Sequence, residues 1–139
     1  MSEKNMEIVR RYREAHNTGH LDLLNEIVSP NLITHAHMPG IPAGLAGGKA
    51  VTQSVMAACP DLHIETNELF AVGDKVTEIW TQSMTHTAGP FFGVPPTGKK
   101  VVVSGISVYR LENGKIVEHW GAMDFYGVLL QLGLAKPMG

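Results

Sequence analysis

The sequence predicts an α+β fold, with helices over the first sixty residues and antiparallel strands after them. Three observations carry this. Ile8, Tyr12 and Ala15, with Val9 beside them, form an apolar stripe at helical spacing. From Asp61 the period shortens to two, with Leu62, Ile64 and Thr66 set against His63, Glu65 and Asn67. Asn113-Gly114, between two apolar runs, is a strong hairpin signal. Helices followed by hairpin-linked strands make an α+β domain. A sheet of long consecutive hairpins twists and curves. Helices over its concave side complete a cone-shaped α+β barrel whose mouth suits a small ligand.

In chain order, the stripe predicts a helix over Ser2–His16, stopped at Asn17-Thr18-Gly19, where Gly19 can take a left-handed cap. A short helix fits Leu21–Val28, ended by Pro30. Asn31–His37 alternates as a short strand. Met38–Gly48, rich in Gly and Pro, reads as a loop. A third helix fits Gly48–Ala58, closed by Pro60. Strands follow over Asp61–Ala71, Val76–Thr87 and Lys100–Leu111, with a turn at Ala71–Lys75 and a loop over Ala88–Lys99. The hairpin at Asn113-Gly114 leads to a last strand ending near Asp124. A final helix covers Tyr126–Leu132, with Gly133 beyond it.

The 139 residues fit one domain, 1–139, large enough to bury a core without metal or disulfide support. A composition of 44% hydrophobic and 17% charged residues is that of a globular chain. A net charge of -2 gives no general attraction to nucleic acid or to an anionic membrane. The single cysteine, Cys59, excludes an internal disulfide and fits a reducing compartment. The N-terminal segment Met1–Glu7 is charged, without the apolar run of a signal peptide. No segment has the length of a membrane-spanning helix. These features predict a soluble, cytoplasmic protein.

Candidate functional residues gather on the strands. On the strand from Lys75, one face reads Val76, Glu78, Trp80, Gln82, Met84 and His86, the mixture of large apolar and polar groups expected of a pocket wall. The other face, Thr77, Ile79, Thr81, Ser83 and Thr85, is an outer surface suited to sheet-to-sheet association, which predicts a homodimer or tetramer. Asp124 ends the last strand, followed by Phe125-Tyr126-Gly127-Val128. A carboxyl group held among apolar side chains resists ionising and serves as a general acid or base near neutral pH. The alternative is a helix cap, since an aspartate directly before a helix accepts backbone N–H bonds. In the last strand Ile116, Glu118, Trp120, Ala122 and Asp124 share one parity, while Val117, His119, Gly121 and Met123 share the other. That parity assigns His119 to a surface or dimer contact, unless a bulge breaks the count.

His86 ends a strand at a Gly-rich loop and reads either as pocket lining or as a loop anchor. His35 and His37 share one strand face. With His63, His86 and His119 they lack the fixed spacing of a metal motif, so no metal site is expected. Trp80, Met84, Phe92, Trp120 and Tyr12 are the substrate-contact candidates, each also suited to the core. Phe91 and Phe92, beside Gly93 and two prolines, form a lid or an interface patch. Arg10-Arg11-Tyr12-Arg13 reads as a solvated helix face.

Motifs along nearly the whole chain resemble those of SnoaL-like polyketide cyclases, of the nuclear-transport-factor-2-like superfamily. They are Pro60-Asp61-Leu62, Val72-Gly73-Asp74-Lys75-Val76, Thr85-His86-Thr87-Ala88-Gly89, Phe92-Gly93-Val94-Pro95-Pro96-Thr97-Gly98-Lys99, Asn113 through Trp120, Asp124 and Gln131-Leu132-Gly133. Ala88 adds one residue to the usual Thr-His-x-Gly turn. The resemblance implies a cofactor-free intramolecular aldol cyclisation of a hydrophobic carbonyl or ester substrate. It further implies Asp124 as acid/base, with His35 and His86 orienting or polarising carbonyls. The superfamily also includes hydrolases, hydratases, isomerases and non-catalytic ligand-binding proteins, so the fold alone leaves these readings open.

Overall fold

A computed structural model describes residues 2–35 and 42–138. The predicted His37 lies outside the described residues. Helix α1 spans Ser2–Thr18, two residues longer than the predicted Ser2–His16, and ends at Gly19, whose φ of +75° is the left-handed stop. A 3₁₀ turn, Leu21–Leu23, runs into the single helical turn α2, Leu24–Ile27. Strand β1 is Val28–Thr34, three residues earlier than predicted. Pro30 therefore lies inside a strand instead of closing a helix. This is tolerated because β1 is an edge strand, where a missing N–H costs no ladder bond.

Helix α3, Gly44–Ala58, begins within the segment predicted as loop. Gly44 abuts the Pro30 carbonyl, where a Cβ would lie 2.7 Å from the oxygen. Glycine here permits close packing of α3 on β1, and that is why it misreads as a loop signal.

Four strands follow: β2 His63–Val72, β3 Lys75–Thr85, β4 Lys100–Glu112 and β5 Lys115–Met123. They form one curved, open sheet in the order β1-β5-β4-β3-β2. Neighbours from β2 to β5 are antiparallel, but β1 runs parallel to β5, so the sheet is mixed rather than wholly antiparallel. Parallel pairing requires a long crossover, here supplied by everything between β1 and β5. Helix α4, Phe125–Leu132, is closed by Gly133 at φ +78°. Among the described residues no helix is long and apolar enough to cross a membrane.

Two bulges reset the strand faces. Asn67 is the extra residue of β2 between the Thr66–Trp80 and Glu68–Ile79 pairs. Val117 is the extra residue of β5 between the Ile116–Leu111 and Glu118–Arg110 pairs. The buried side of β4 carries Val101, Val103, Gly105, Ser107, Tyr109 and Leu111. Opposite them, Ile116 and then His119, Gly121 and Met123 face inward. Simple alternation along β5 gives the opposite answer beyond Val117.

The core has two parts. One packs α1 and α2 onto the sheet through Val9, Leu24, Ile27, Val28, Val76 and Ile116. The other joins the end of α3 and α4 to the far end of β3 and β4 through Ala58, Cys59, Met84, Val101, Val128 and Leu132. Each fully buried aliphatic side chain contributes about 1.5–3 kcal/mol. Between Val76 and Met84 along β3 the inward residues turn polar, with Glu78, Trp80 and Gln82.

Glu78 is fully buried. It receives Arg13 Nε at 2.9 Å and Nη2 at 2.6 Å, Tyr109 Oη at 2.7 Å and Thr66 Oγ1 at 2.7 Å. Arg13 is thus no part of a solvated face: it turns inward as a bidentate fork on the carboxylate. Burial works against both charges. Arg13 and the two hydroxyls outweigh it and hold the Glu78 carboxyl below its usual range, while Tyr109 and Glu78 keep the guanidinium charged. Substituting Arg13→Met leaves Glu78 buried and uncompensated. Urea unfolding should show a loss of about 3–5 kcal/mol, whereas breaking the exposed pair Arg10–Glu7 should leave the midpoint almost unmoved.

Candidate active site

A cavity of about 400 Å³ opens against the inner face of the sheet, between α3, the β3–β4 loop (residues 86–99) and the start of α4. That volume suits a drug-sized ligand. Its walls are mostly apolar: Val51 and Val55 of α3, Ile64 of β2, Trp80 and Met84 of β3, Phe91 and Phe92 of the loop, and Met123 and Phe125. Phe92 is half exposed at φ +48°, its ring edge-on to Phe91 at 4.7 Å and to Phe125 at 6.0 Å. The three rings form the rim.

The polar groups on the wall are few: His16, Thr52, Gln82, Ser107 and His119. His16 lies in the last turn of α1, three residues beyond Arg13, so the inward turn of Arg13 carries His16 to the same side. Its Nδ1 lies 2.7 Å from the Tyr12 carbonyl. A carbonyl can only accept, so Nδ1 holds the proton and the neutral ring has its lone pair on Nε2. Nε2 has no partner among the described residues, and no buried side-chain nitrogen or oxygen lacks one, so Nε2 opens onto the cavity. Burial, then the positive charge of Arg13, lowers the His16 pKa to about 4.

His119 stacks on Tyr109 at 5.2 Å, with Nδ1 3.4 Å from Thr34 Oγ1. Burial and Arg13 likewise lower its pKa to about 4. Ser107 lines the cavity from β4. Its Oγ accepts the Trp80 indole N–H at 3.0 Å, which leaves the hydroxyl proton free to donate into the cavity. Trp80 lies flat across Gly105, where any Cβ would collide with its ring.

Of the residues predicted from sequence, Trp80, Met84 and Phe92 line this cavity. Five others do not. Asp124 is exposed and is the N-cap of α4, its Oδ1 accepting the Gly127 N–H at 2.8 Å. The absence of a side chain at Gly127 makes room for that carboxylate. The expected apolar enclosure of Asp124 fails because the Val117 bulge turns its strand parity outward. The same inversion puts Trp120 on the outer face, stacked on His35 at 4.9 Å. His35 Nε2 is 2.7 Å from Glu118, away from the cavity.

His86 is buried in the β3–β4 loop. Its Nε2 donates to the Gly89 carbonyl at 2.7 Å, and its Nδ1 faces the Thr97 N–H and hydroxyl at 3.3 Å. Both nitrogens serve the loop, so His86 anchors it. Tyr12 packs edge-on to Tyr109 in the core and meets the site through His16, by its carbonyl and by its ring at 4.4 Å.

Four polar wall residues are not picked out by the sequence. The bulge reverses the side that simple alternation gives His119. His16 reads as the end of a helix, although its spacing of four from Tyr12 continues the inward stripe. Thr52 lies on α3 with nothing in the sequence to single it out. Ser107 shares the inward parity of β4, but nothing in the sequence marks its pairing with Trp80.

The geometry can be set beside known proteins. A profile described as SnoaL-like polyketide cyclase matches residues 6–132. The chain belongs to that family. Aklanonic acid methyl ester cyclase DnrD of Streptomyces peucetius is 30% identical over 95% of this chain and 92% of its own. Nogalonic acid methyl ester cyclase of Streptomyces nogalater is 30% identical over 88% of this chain and 92% of its own. Among solved structures, TsrD from Streptomyces laurentii superposes with a TM-score of 0.86 at 26% identity, covering 96% of this chain and 97% of its own. The SnoaL-like fold expected from the motifs is therefore the fold of this chain.

His16 and His119 are held neutral in the fold, so between about pH 6.5 and 4 the unfolded chain binds more protons than the folded one. Stability is full above that window and falls as pH drops through it. Urea midpoints from pH 7 to 4 should decline, less steeply in His16→Gln. Gly105→Ala should displace the Trp80 ring, costing about 1–3 kcal/mol and shifting its fluorescence.

Proposed function

We propose that this protein catalyses an intramolecular aldol ring closure on a hydrophobic, polyketide-type carbonyl or ester substrate. The observation that carries this is a proton acceptor and a hydroxyl donor facing into a mostly apolar cavity, the His16 Nε2 lone pair and the Ser107 O–H. Likeness to methyl ester cyclases over 88–95% of the chain supports the reading.

The reaction needs a base to take a proton from carbon, a donor for the enolate or alkoxide oxygen, and an enclosure that keeps water from the intermediate. It transfers no electrons and calls for no cofactor. A weakly basic imidazole suits a substrate whose reacting carbon is flanked by two carbonyls, as in a β-keto ester, because that C–H is already acidic. Aromatic and thioether groups of Trp80, Phe91 and Met84 offer a flat, apolar surface to an aromatic ring system.

The assembly we propose is a homodimer through the outer sheet face, where Phe70, Val102 and Ile106 are half exposed. A non-catalytic ligand-binding role would need no free acceptor in the wall, and the cavity presents one.

The direct test incubates the protein with an aromatic β-keto methyl ester carrying a ketone side chain and follows product by mass-neutral chromatographic shift. A ring-closed product is expected. Tight binding without turnover would establish the binding role instead. Asp124→Asn should keep turnover within a few-fold and leave stability nearly unchanged, since an asparagine carbonyl caps a helix as well as a carboxylate does, whereas Asp124→Ala should cost about 1 kcal/mol. Loss of turnover in a fully folded Asp124→Asn protein would return the acid/base role to Asp124.

A further inference from the structure

Resting on the cyclase reading, we infer that His16 is the general base of this enzyme, taking the substrate proton on Nε2 and returning it to the new alkoxide. The two imidazoles on the wall are not equivalent. His16 is fixed from two directions, by its Nδ1–H on the Tyr12 carbonyl at 2.7 Å and by tilted contact with the Tyr12 ring at 4.4 Å. Its tautomer follows from the carbonyl partner alone. His119 faces the Thr34 hydroxyl at 3.4 Å, a group able to donate or accept, so that contact by itself does not fix the His119 tautomer. A base must present its lone pair in the ground state, and only His16 is bound to do so.

The surroundings agree. The charged groups near His16 are Arg13 on its own helix and Glu78 on β3, with His119 on β5 as the neighbouring titratable ring. Arg13 and Glu78 are paired to each other, so neither is free to quench the imidazole. Donor and acceptor both line the cavity, Ser107 from β4 and His16 from the end of α1.

The steps balance. The C–H bond flanked by carbonyls breaks, its proton going to His16 Nε2 and its electron pair into the enolate, whose oxygen accepts the Ser107 O–H. The enolate carbon then bonds to the side-chain ketone carbon, and the C=O π pair moves to oxygen. That oxygen takes the proton from the His16 imidazolium. The proton count is unchanged, and the ring is ready for the next turnover.

The test pairs turnover with proton exchange. His16→Gln should lower ring closure by about 10²–10⁴-fold. It should lower exchange of the acidic substrate C–H into D₂O in parallel, while substrate affinity, read by Trp80 fluorescence, stays within a few-fold. Wild-type protein that cyclises, with His16→Gln cyclising within tenfold of it, overturns the inference and leaves the cyclase reading standing. Wild-type protein that neither cyclises nor exchanges overturns both.

Should His16→Gln fail to fold, ¹⁵N NMR of the wild-type imidazoles decides. A protonated Nδ1 and a bare Nε2 at neutral pH, with the Nε2 signal moving when the methyl ester is added, sustains the assignment. The opposite tautomer, or an Nε2 signal indifferent to the ester, removes it.

Discussion

The buried fork between Arg13 and Glu78 is the interaction on which the rest of the structure depends. It joins the first helix to the middle of the sheet, and Thr66 and Tyr109 complete the carboxylate's shell from the strands on either side. A buried ion pair is weak evidence of net stability, since both ions lose their hydration. Its geometry nonetheless specifies one rotation and one height of α1. Ridge packing of Ile8 and Val9 alone would tolerate neighbouring arrangements at small cost. The fork does not, because any slip strands two charges in the core.

That specification reaches the cavity by a short route. His16 lies one helical turn beyond Arg13, so the register that satisfies Glu78 also aims an imidazole at the substrate space. Burial does most to keep that ring neutral, and the same guanidinium adds to it through its field, disfavouring a second positive charge nearby. One side chain thus sets the position of a neighbour and reinforces its protonation state, without itself lining the cavity. Trp80 and Ser107 show a related economy: the indole fills the wall and, by occupying one lone pair of the hydroxyl, directs the hydroxyl proton elsewhere.

Much of the fold is legible in the sequence because it rests on periodicity. The stripe through Ile8, Tyr12 and Ala15, the alternation from Asp61 and the Asn113-Gly114 turn each mark an element the structure contains. The inward face of β3 is readable for the same reason. The site is less legible because its defining features are local exceptions to periodicity. Gly44 reads as a loop residue, yet it is a contact surface. Pro30 reads as a stop, yet an edge strand accepts it. Val117 carries no mark of being a bulge, so His119 and Asp124 trade places between cavity and surface. The cap at Asp124 was one of two readings its neighbours allow, and the small residue at Gly127 is the sequence feature that favours it.

The bulge at Val117 has an evolutionary consequence. It acts as a phase shift within a single strand, so the hairpin end and the helix end of β5 obey opposite parity. Loss of one residue there would leave the hairpin intact and exchange the whole chemical content of the far half, bringing an indole and a carboxylate inward and sending an imidazole out. A lineage holding this fold therefore has access to a different active site through one deletion, without repacking the core beneath Ile116. Alignments of such chains that place gaps freely in this strand will pair residues that face opposite sides of the sheet.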